Sequence, residues 1–345
     1  MEVVSRSLAI GLNAVIVAFS DDEPKVLAVR HTSGGSGGLS TDPVAARGDG
    51  DVPEADLYLD ALPFGPLDPE HDRTLELALR GWIREQAGIE VGYVEQLYTF
   101  GDRNRDPRER HGGPRVISIG YLTLVHEDSV AARKGVGWRD WYAYLPWEDW
   151  RSGRPRILGH IESALGAWAD DADPGLRTKR RERIDIAFGF HDTPWDGYRV
   201  LDRYELLYEA GLVAEAVRDL GGGRGRESAG REGKPSGRPM RFDHRRILAT
   251  AISRLRGKIK YRPVVFELLP DMFTLLQLQR VVEALAGQRL HKQNFRRLVD
   301  RGGLVEGTGK TAGTGGRPAE LFRFRREVLR ERPQPGVGLP GLPAG

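Results

Sequence analysis

Residues 81–89 read GWIREQAGI and close on a Gly–apolar pair, with LPFG upstream at 62–65. A strand, a Gly-Pro turn and a helix can hold a metal-bound pyrophosphate if the helix carries carboxylates one turn apart. Magnesium is a hard cation that takes oxygen ligands, and it helps generate the attacking hydroxide. Glu85 supplies one carboxylate, but Trp82 stands where that chemistry wants another, and Gln86 brings an uncharged amide. Trp82 reads either as a core or ligand-facing aromatic of an amphipathic helix or as a stacking surface for a nucleotide base. Glu85 reads either as the partner of Arg80 or Arg84 or as a residual metal ligand.

A second cluster follows in GDRNRDPRERHGGPR at 101–115, which sets Arg103, Arg105, Arg108, Arg110 and Arg115 between two strands. Arginine forks match phosphate oxygens. Asp102, Asp106 and Glu109 are interleaved, so the alternative is a solvated loop that pairs internally. A site with phosphate-binding arginines and few metal ligands would sense a nucleotide without cutting it. The expected effector-binding residues are therefore Arg103, Arg105, Arg108, Arg115, Trp82 and Glu85, with no catalytic residue, metal site or required cofactor.

The third cluster is HKQNFRR at 291–297. Lys292, Gln293, Asn294, Arg296 and Arg297 would share the polar face of a helix anchored by Phe295, Leu298 and Val299. Arg and Lys read guanine, and Asn and Gln read adenine, when such a helix lies in the major groove. Thr274 and Gln277 at the preceding helix start, and Lys310 and Arg317 on a Gly- and Thr-rich hairpin, complete the expected DNA-binding set, some of it to phosphate only.

These residues need elements to position them. LNAVIVAFS and KVLAVR flank Asp21–Pro24, a hairpin signal. Leu75, Leu79, Trp82 and Ile83 fall on one helical face over 73–87, and Gly88 stops the helix. Residues 93–101 and 116–125 read as strands. Strands around a helix predict an α/β sandwich. Residues 156–169 and 197–219 have helical periodicity. Thr274 caps a helix with Leu275, Leu278, Val281, Val282 and Leu285 on its apolar face and Gly287 at its end. Leu304–Val305 opens a strand, and the hairpin that leads into LFRF is a wing.

The chain has 345 residues, 39% hydrophobic and 29% charged, and predicts more than one domain. It has no cysteine, which excludes disulfides and thiolate zinc sites and suits a cytoplasmic setting. The N-terminal apolar run is short and reads as a strand, not a signal peptide, and no run is long enough for a membrane span. The net charge of +3 conceals a division: residues 241–330 hold 20 Lys/Arg against 8 Asp/Glu, while residues 1–240 hold 31 against 40. A basic third on an acidic body suggests a polyanion-binding module. The expected division is 1–160 for effector sensing with a mobile loop at 33–56, 161–220 as a helical extension, 221–240 as a flexible linker, 241–330 for DNA binding, and 331–345 as a disordered tail.

LPFG, GWIREQAGI, YVEQLYTFGDRNRDPR and VISIGYLTL together resemble the Nudix fold, whose helix carries Arg-Glu-apolar-x-Glu-Glu-x-Gly-apolar. Gly81, Trp82 and Gln86 depart from that pattern, Glu85, Gly88 and Ile89 keep it, and Gly65 fits only with a two-residue insertion. FDHRRILATAISRLRGKIKYRPVVFELLPDMFTLLQLQ, HKQNFRR and GGRPAELFRF resemble the C-terminal domain of Nudix-related transcriptional regulators, and with LNAVIVAFSDDEPKVL, LPFGPLDPE, YVEQLYTFGDRNRDP and WYAYLPWEDWR the chain resembles the NrtR-like or NadQ-type regulators of NAD biosynthesis in that group. The resemblance implies a Nudix-like α/β/α sandwich followed by a C-terminal winged helix-turn-helix domain. It implies a repressor of NAD synthesis genes that senses a nucleotide effector of the NAD, ADP-ribose or ATP class and acts as a homodimer on an inverted-repeat DNA operator. The competing readings are a divergent Nudix hydrolase of ADP-ribose-type pyrophosphates with an accessory nucleic-acid-binding domain, and an RNA-binding or scaffold protein.

Overall fold

The computed structural model describes residues 8–30, 59–103, 105–106, 109, 113–126, 135–219, 236–313, 318–331 and 335–337. In chain order the strands are β1 (Leu8–Ser20), β2 (Glu23–Val29), β3 (Phe64–Pro66), β4 (Val94–Phe100), β5 (Arg115–Leu124), β6 (Val136–Asp140), β7 (Val305–Ala312) and β8 (Ala319–Phe324). The helices are α1 (Leu75–Ala87), α2 (Ile157–Asp170), α3 (Pro174–Phe188), α4 (Val200–Glu209), α5 (Ala214–Asp219), α6 (His244–Ile259), α7 (Leu275–Ala286), α8 (Lys292–Gly302) and α9 (Val328–Glu331).

Six strands form a mixed sheet, five of them in the order β4-β5-β1-β2-β6 and β3 paired with β1 off that path. The long β1 organises it. One edge of β1 runs parallel to β5 over Leu8–Val17, and the other pairs antiparallel with β3 at Gly11–Asn13 and with β2 at Val17–Ser20. The expected β1–β2 hairpin turns at Asp21 and Asp22, with φ of 52° and 62°. Two left-handed residues in succession match the twist of the flanking strands, and aspartate tolerates them. Alternation along β1 sends Leu12, Ala14, Ile16 and Ala18 to one face and Val15 and Val17 to the other.

The first face is covered by α1 through Ala78, Leu79, Ile83 and Ala87. Thr74 accepts from the Leu77 amide at 3.2 Å, and Gly88 ends α1 at φ 73°. The second face is covered by α6, which comes from beyond the linker. Gly120 on β5 permits this approach: a Cβ there would lie 3.3 Å from Ile247 and 3.1 Å from the Phe100 ring. The division expected at residue 241 thus falls before a helix that packs on the sheet. One continuous core joins that face, α2 to α6 and the C-terminal unit.

Three differences from expectation have local causes. β6 completes the far edge against β2, although VGWRD lacks an apolar run. Helix α3 carries a charged sequence with no clear apolar stripe, and it is set by its ends: Asp173 accepts from the Leu176 amide at 3.0 Å, Pro174 stands at the first position and Gly189 closes it. The helical pattern over 197–219 divides into α4 and α5 at Gly211, φ 72°. In the tail expected to be disordered from 331, Glu331 belongs to α9, and Pro335 and Val337 are buried, with Gly336 against the Lys260–Tyr261 backbone. The mobile loop expected at 33–56 and most of the linker at 221–240 lie outside the described residues.

The C-terminal unit is a winged helix. Thr274 and Gln277 form a capping box at α7, and Gly287 closes it at φ 72°. Phe295 and Val299 of α8 are fully buried. β7 and β8 pair antiparallel as the wing. Phe273 exchanges two backbone hydrogen bonds with Phe322 of the wing, at 2.9 and 2.8 Å, so the hairpin is pinned to the start of α7.

Candidate functional site

On α1 the three positions of interest have different roles. The Trp82 indole donates to the Pro66 carbonyl at 2.9 Å and lies over Gly65, where a Cβ would come within 2.2 Å of the ring. Glycine is required at 65 because the tryptophan covers it. Gln86 is buried; its Oε1 accepts from the Phe64 amide at 3.1 Å and its Nε2 donates to the Phe64 carbonyl at 2.6 Å. The amide therefore extends the β3 ladder onto the helix, a task for which a carboxylate lacks the donor. Glu85 is exposed. Beside it Arg80 pairs with Glu76 at 2.8 Å and Arg84 with Glu90 at 2.5 Å. No group of three or more His, Asp or Glu side chains among the described residues is arranged to hold a metal ion. The residues of α1 do not fit a magnesium centre: one position is an indole, one an amide bonded to backbone.

Gln86→Glu is expected to lose about 1–3 kcal/mol, because the new carboxylate faces the Phe64 carbonyl with nothing to donate. Urea unfolding with and without magnesium checks this; a variant as stable as the parent, or one that magnesium rescues, contradicts the assignment.

The arginine loop divides in the same way. Arg105 is buried, donates to Asp243 at 3.0 Å through Nε, and also donates to the Ser118 hydroxyl. It ties the loop to the start of α6, whereas the sequence reading places it toward an effector. Arg103 and Arg115 are exposed, and Arg115 donates to the Gly101 carbonyl at 2.8 Å. Arg108 lies outside the described residues. The loop thus presents Arg103 and Arg115 to solvent and keeps Arg105 inside.

Sequence reasoning missed Asp243 and His244, which read only as part of a basic stretch. The Leu62 amide donates to His244 Nδ1 at 2.9 Å, and the imidazole packs edge-on against Phe64 and Phe242. Burial, with Arg105, Arg241 and Arg218 nearby, pushes its pKa well below the usual histidine range. The sign follows: the unfolded chain takes up a proton at ordinary histidine pKa while the folded chain does not, so stability is lost as pH falls below about 6.5. Melting temperature is expected to drop between pH 7.5 and 5.5, with a flatter profile in His244→Asn; parallel profiles would exclude the histidine as the cause.

On the C-terminal unit, Lys292, Gln293, Asn294, Arg296 and Arg297 are all exposed on α8. None of the five side chains makes a hydrogen bond or ion pair with the described residues. Thr274 and Gln277 are engaged in the cap of α7, Thr274 Oγ1 accepting at 3.2 Å and Gln277 Oε1 accepting from the Thr274 amide at 2.7 Å. Those side chains hold the helix start, and the exposed Gln277 keeps its Nε2 donor unpaired by the described residues. Lys310 is exposed on the wing; Arg317 lies outside the described residues.

The two units meet at the end of α7. Tyr142 Oη donates to the Ala284 carbonyl at 2.6 Å, Arg256 Nε to the Leu285 carbonyl at 3.0 Å, and the Trp150 amide to the Gly287 carbonyl at 2.7 Å. Arg256 also holds the buried Glu148, which Arg203 grips from α4. Residue 256 on α6 is therefore the joint between sheet, helical layer and reading unit.

The architecture is a Nudix-type sandwich fold with a winged helix docked on it. Residues 265–324 match the NrtR DNA-binding winged helix domain. The chain is similar to the crystal structures of Shewanella oneidensis NrtR complexed with a 27mer DNA and of that NrtR alone. The first has a TM-score of 0.53 at 19% identity, covering 96% of this chain and 99% of that one. The second has 0.52 at 20%, with the same coverage. At that identity the likeness is one of fold. Over 85 residues the chain is 40% identical to the "ADPR responsive transcriptional repressor NtrR" of Acinetobacter baylyi, a match that spans 25% of this chain and 34% of that protein. Residues 265–324 thus form an NrtR-type winged helix domain, and the chain as a whole shares its fold with the Shewanella NrtR structures. No helix among the described residues is long and apolar enough to cross a membrane.

Proposed function

We propose that the chain is a cytoplasmic DNA-binding repressor of NAD biosynthesis genes, and that its Nudix-like domain senses an NAD-related or adenine nucleotide without hydrolysing it. The observation that carries the reading is the face of α8: five hydrogen-bonding side chains, exposed and unpaired by the described residues, above a buried Phe295–Val299 anchor. The winged helix match and the ADPR-responsive character of the Acinetobacter relative's name support DNA as partner and ADP-ribose as the effector. A homodimer on an inverted repeat is the matching arrangement, since two-fold protein symmetry mirrors operator symmetry.

An effector alters DNA affinity only if it favours one arrangement of the two reading helices. Helix α6 offers the route: its start is held by Arg105 and Phe64, and Arg256 near its end bonds α7. Displacement at the first end must be accommodated at the second.

The test is a fluorescence anisotropy titration of the full chain with duplex DNA from upstream of NAD synthesis genes, with and without ADP-ribose. A change in affinity with ADP-ribose is expected, and no change removes the sensing half of the reading. Incubation with ADP-ribose and magnesium addresses hydrolysis: sustained AMP release would favour the divergent hydrolase.

A further inference from the structure

A cavity of about 730 Å³ opens between the end of β4, α4 and α6. That volume is in the range of small-molecule sites. None of Trp82, Glu85, Arg103 and Arg115 lines it, so it is separate from the α1 region.

Its wall combines three chemistries. Tyr98 and Tyr261 are 60% and 37% exposed there, and Phe100 meets Tyr98 edge-on at 5.4 Å. Such rings take up a planar heterocycle by stacking. Arg246 is held bidentate by Glu205 at 2.5 and 3.0 Å, with Asp102 at 3.4 Å, so its charge is answered internally. Arg254 is exposed and makes no hydrogen bond or ion pair with the described residues, which leaves it as the cation for an anionic group. The Thr250 and Ser253 hydroxyls already donate, to the Arg246 and Tyr198 carbonyls, and remain acceptors for a sugar hydroxyl.

Gly257 is the remaining observation. It lies within α6 and lines the cavity, and a Cβ built on it meets nothing within 4 Å. Glycine weakens a helix relative to alanine, and no protein atom requires it here. The space is kept open at a cost to the helix.

We propose that this cavity binds a mononucleotide, its base against Tyr98 and Tyr261 and its phosphate on Arg254. Arg256, between Arg254 and Gly257 in sequence, donates to the last turn of α7, so occupancy bears on the reading unit.

The test is calorimetric titration of the full chain with AMP, adenosine and inorganic phosphate. AMP is expected to bind, adenosine more weakly, and phosphate alone not measurably. Gly257→Leu fills the space and should weaken AMP by at least ~10-fold, with an unchanged or higher melting temperature. Arg254→Gln, at an exposed position, should weaken AMP but not adenosine. No AMP binding by the parent, or parental affinity in a Gly257→Leu protein that melts normally, overturns the proposal. An ADP-ribose titration on the same variants keeps the two readings apart. Loss of AMP in Gly257→Leu with ADP-ribose retained supports a separate site. ADP-ribose binding without any AMP binding sinks this inference alone.

Discussion

Arg296→Ala/Arg297→Ala is expected to abolish measurable operator binding at physiological salt while the protein melts as before. Each arginine that reads a base contributes about 1–3 kcal/mol of discrimination, so losing both weakens a specific complex by orders of magnitude. If one contacts phosphate, its single variant weakens all sequences alike and lowers the salt slope by about one. Stability should be untouched because both side chains are exposed and unpaired by the described residues, while Phe295 and Val299 hold α8 from beneath. Anisotropy at several salt concentrations separates the two roles. Unchanged affinity in the double variant would remove α8 from the interface and with it the carrying observation of the proposed function.

Glu148→Gln should be the most damaging single substitution for stability. The carboxylate is 1% exposed and faces two guanidinium groups that are also buried, Arg203 at 2.5 Å and Arg256 at 2.6 Å. Burial by itself would raise the pKa of Glu148, but the two arginines overcome this and hold it below the usual glutamate range. Neighbouring carbonyls accept the remaining N–H groups: Ala187, Asp196, Gly197 and Leu285 lie at 2.8 to 3.0 Å. Removing the one negative charge leaves two buried cations facing each other, a loss of about 3–5 kcal/mol. The depressed pKa gives the pH sign. The contribution of Glu148 is complete above the unfolded glutamate pKa and is lost as pH falls through the folded value, so the deficit of the variant should shrink in acid. Urea unfolding at pH 7 and at pH 4 measures both. A loss under about 1 kcal/mol at pH 7 would mean that the carbonyls alone hold the arginines. Because Arg256 also bonds the Leu285 carbonyl, the variant should in addition cleave faster under limited proteolysis between the sheet and the winged unit.

Much of the site was legible in the residues. Period-two alternation in LNAVIVAFS gave β1 its two faces, Thr74 and Gly88 bracketed α1, and Thr274 and Gly287 bracketed α7. The polar set of α8 followed from Phe295 and Val299 at helical spacing. These are local signals, carried within a few residues of where they act. The arginine loop was different. Arg103, Arg105 and Arg115 look alike in sequence, yet only Arg105 turns inward, because Asp243 arrives from 138 residues away. The same holds for Gln86, whose role depends on Phe64, and for Arg254, Gly257 and Tyr98, which line one cavity only because α6 lies across β5.

What the sequence by itself determined was therefore β1, β2, α1, α7, α8 and the wing, the loss of carboxylates at Trp82 and Gln86, and the exposed polar face of α8. Each depends on side-chain type and short-range spacing. Only the tertiary structure decided that α6 belongs to the sheet, that Arg105 is structural, and that Glu148 joins the two units through Arg203 and Arg256. Those outcomes rest on charges and rings far apart in the chain, buried together where each must find a partner, and no local periodicity records which partner that is.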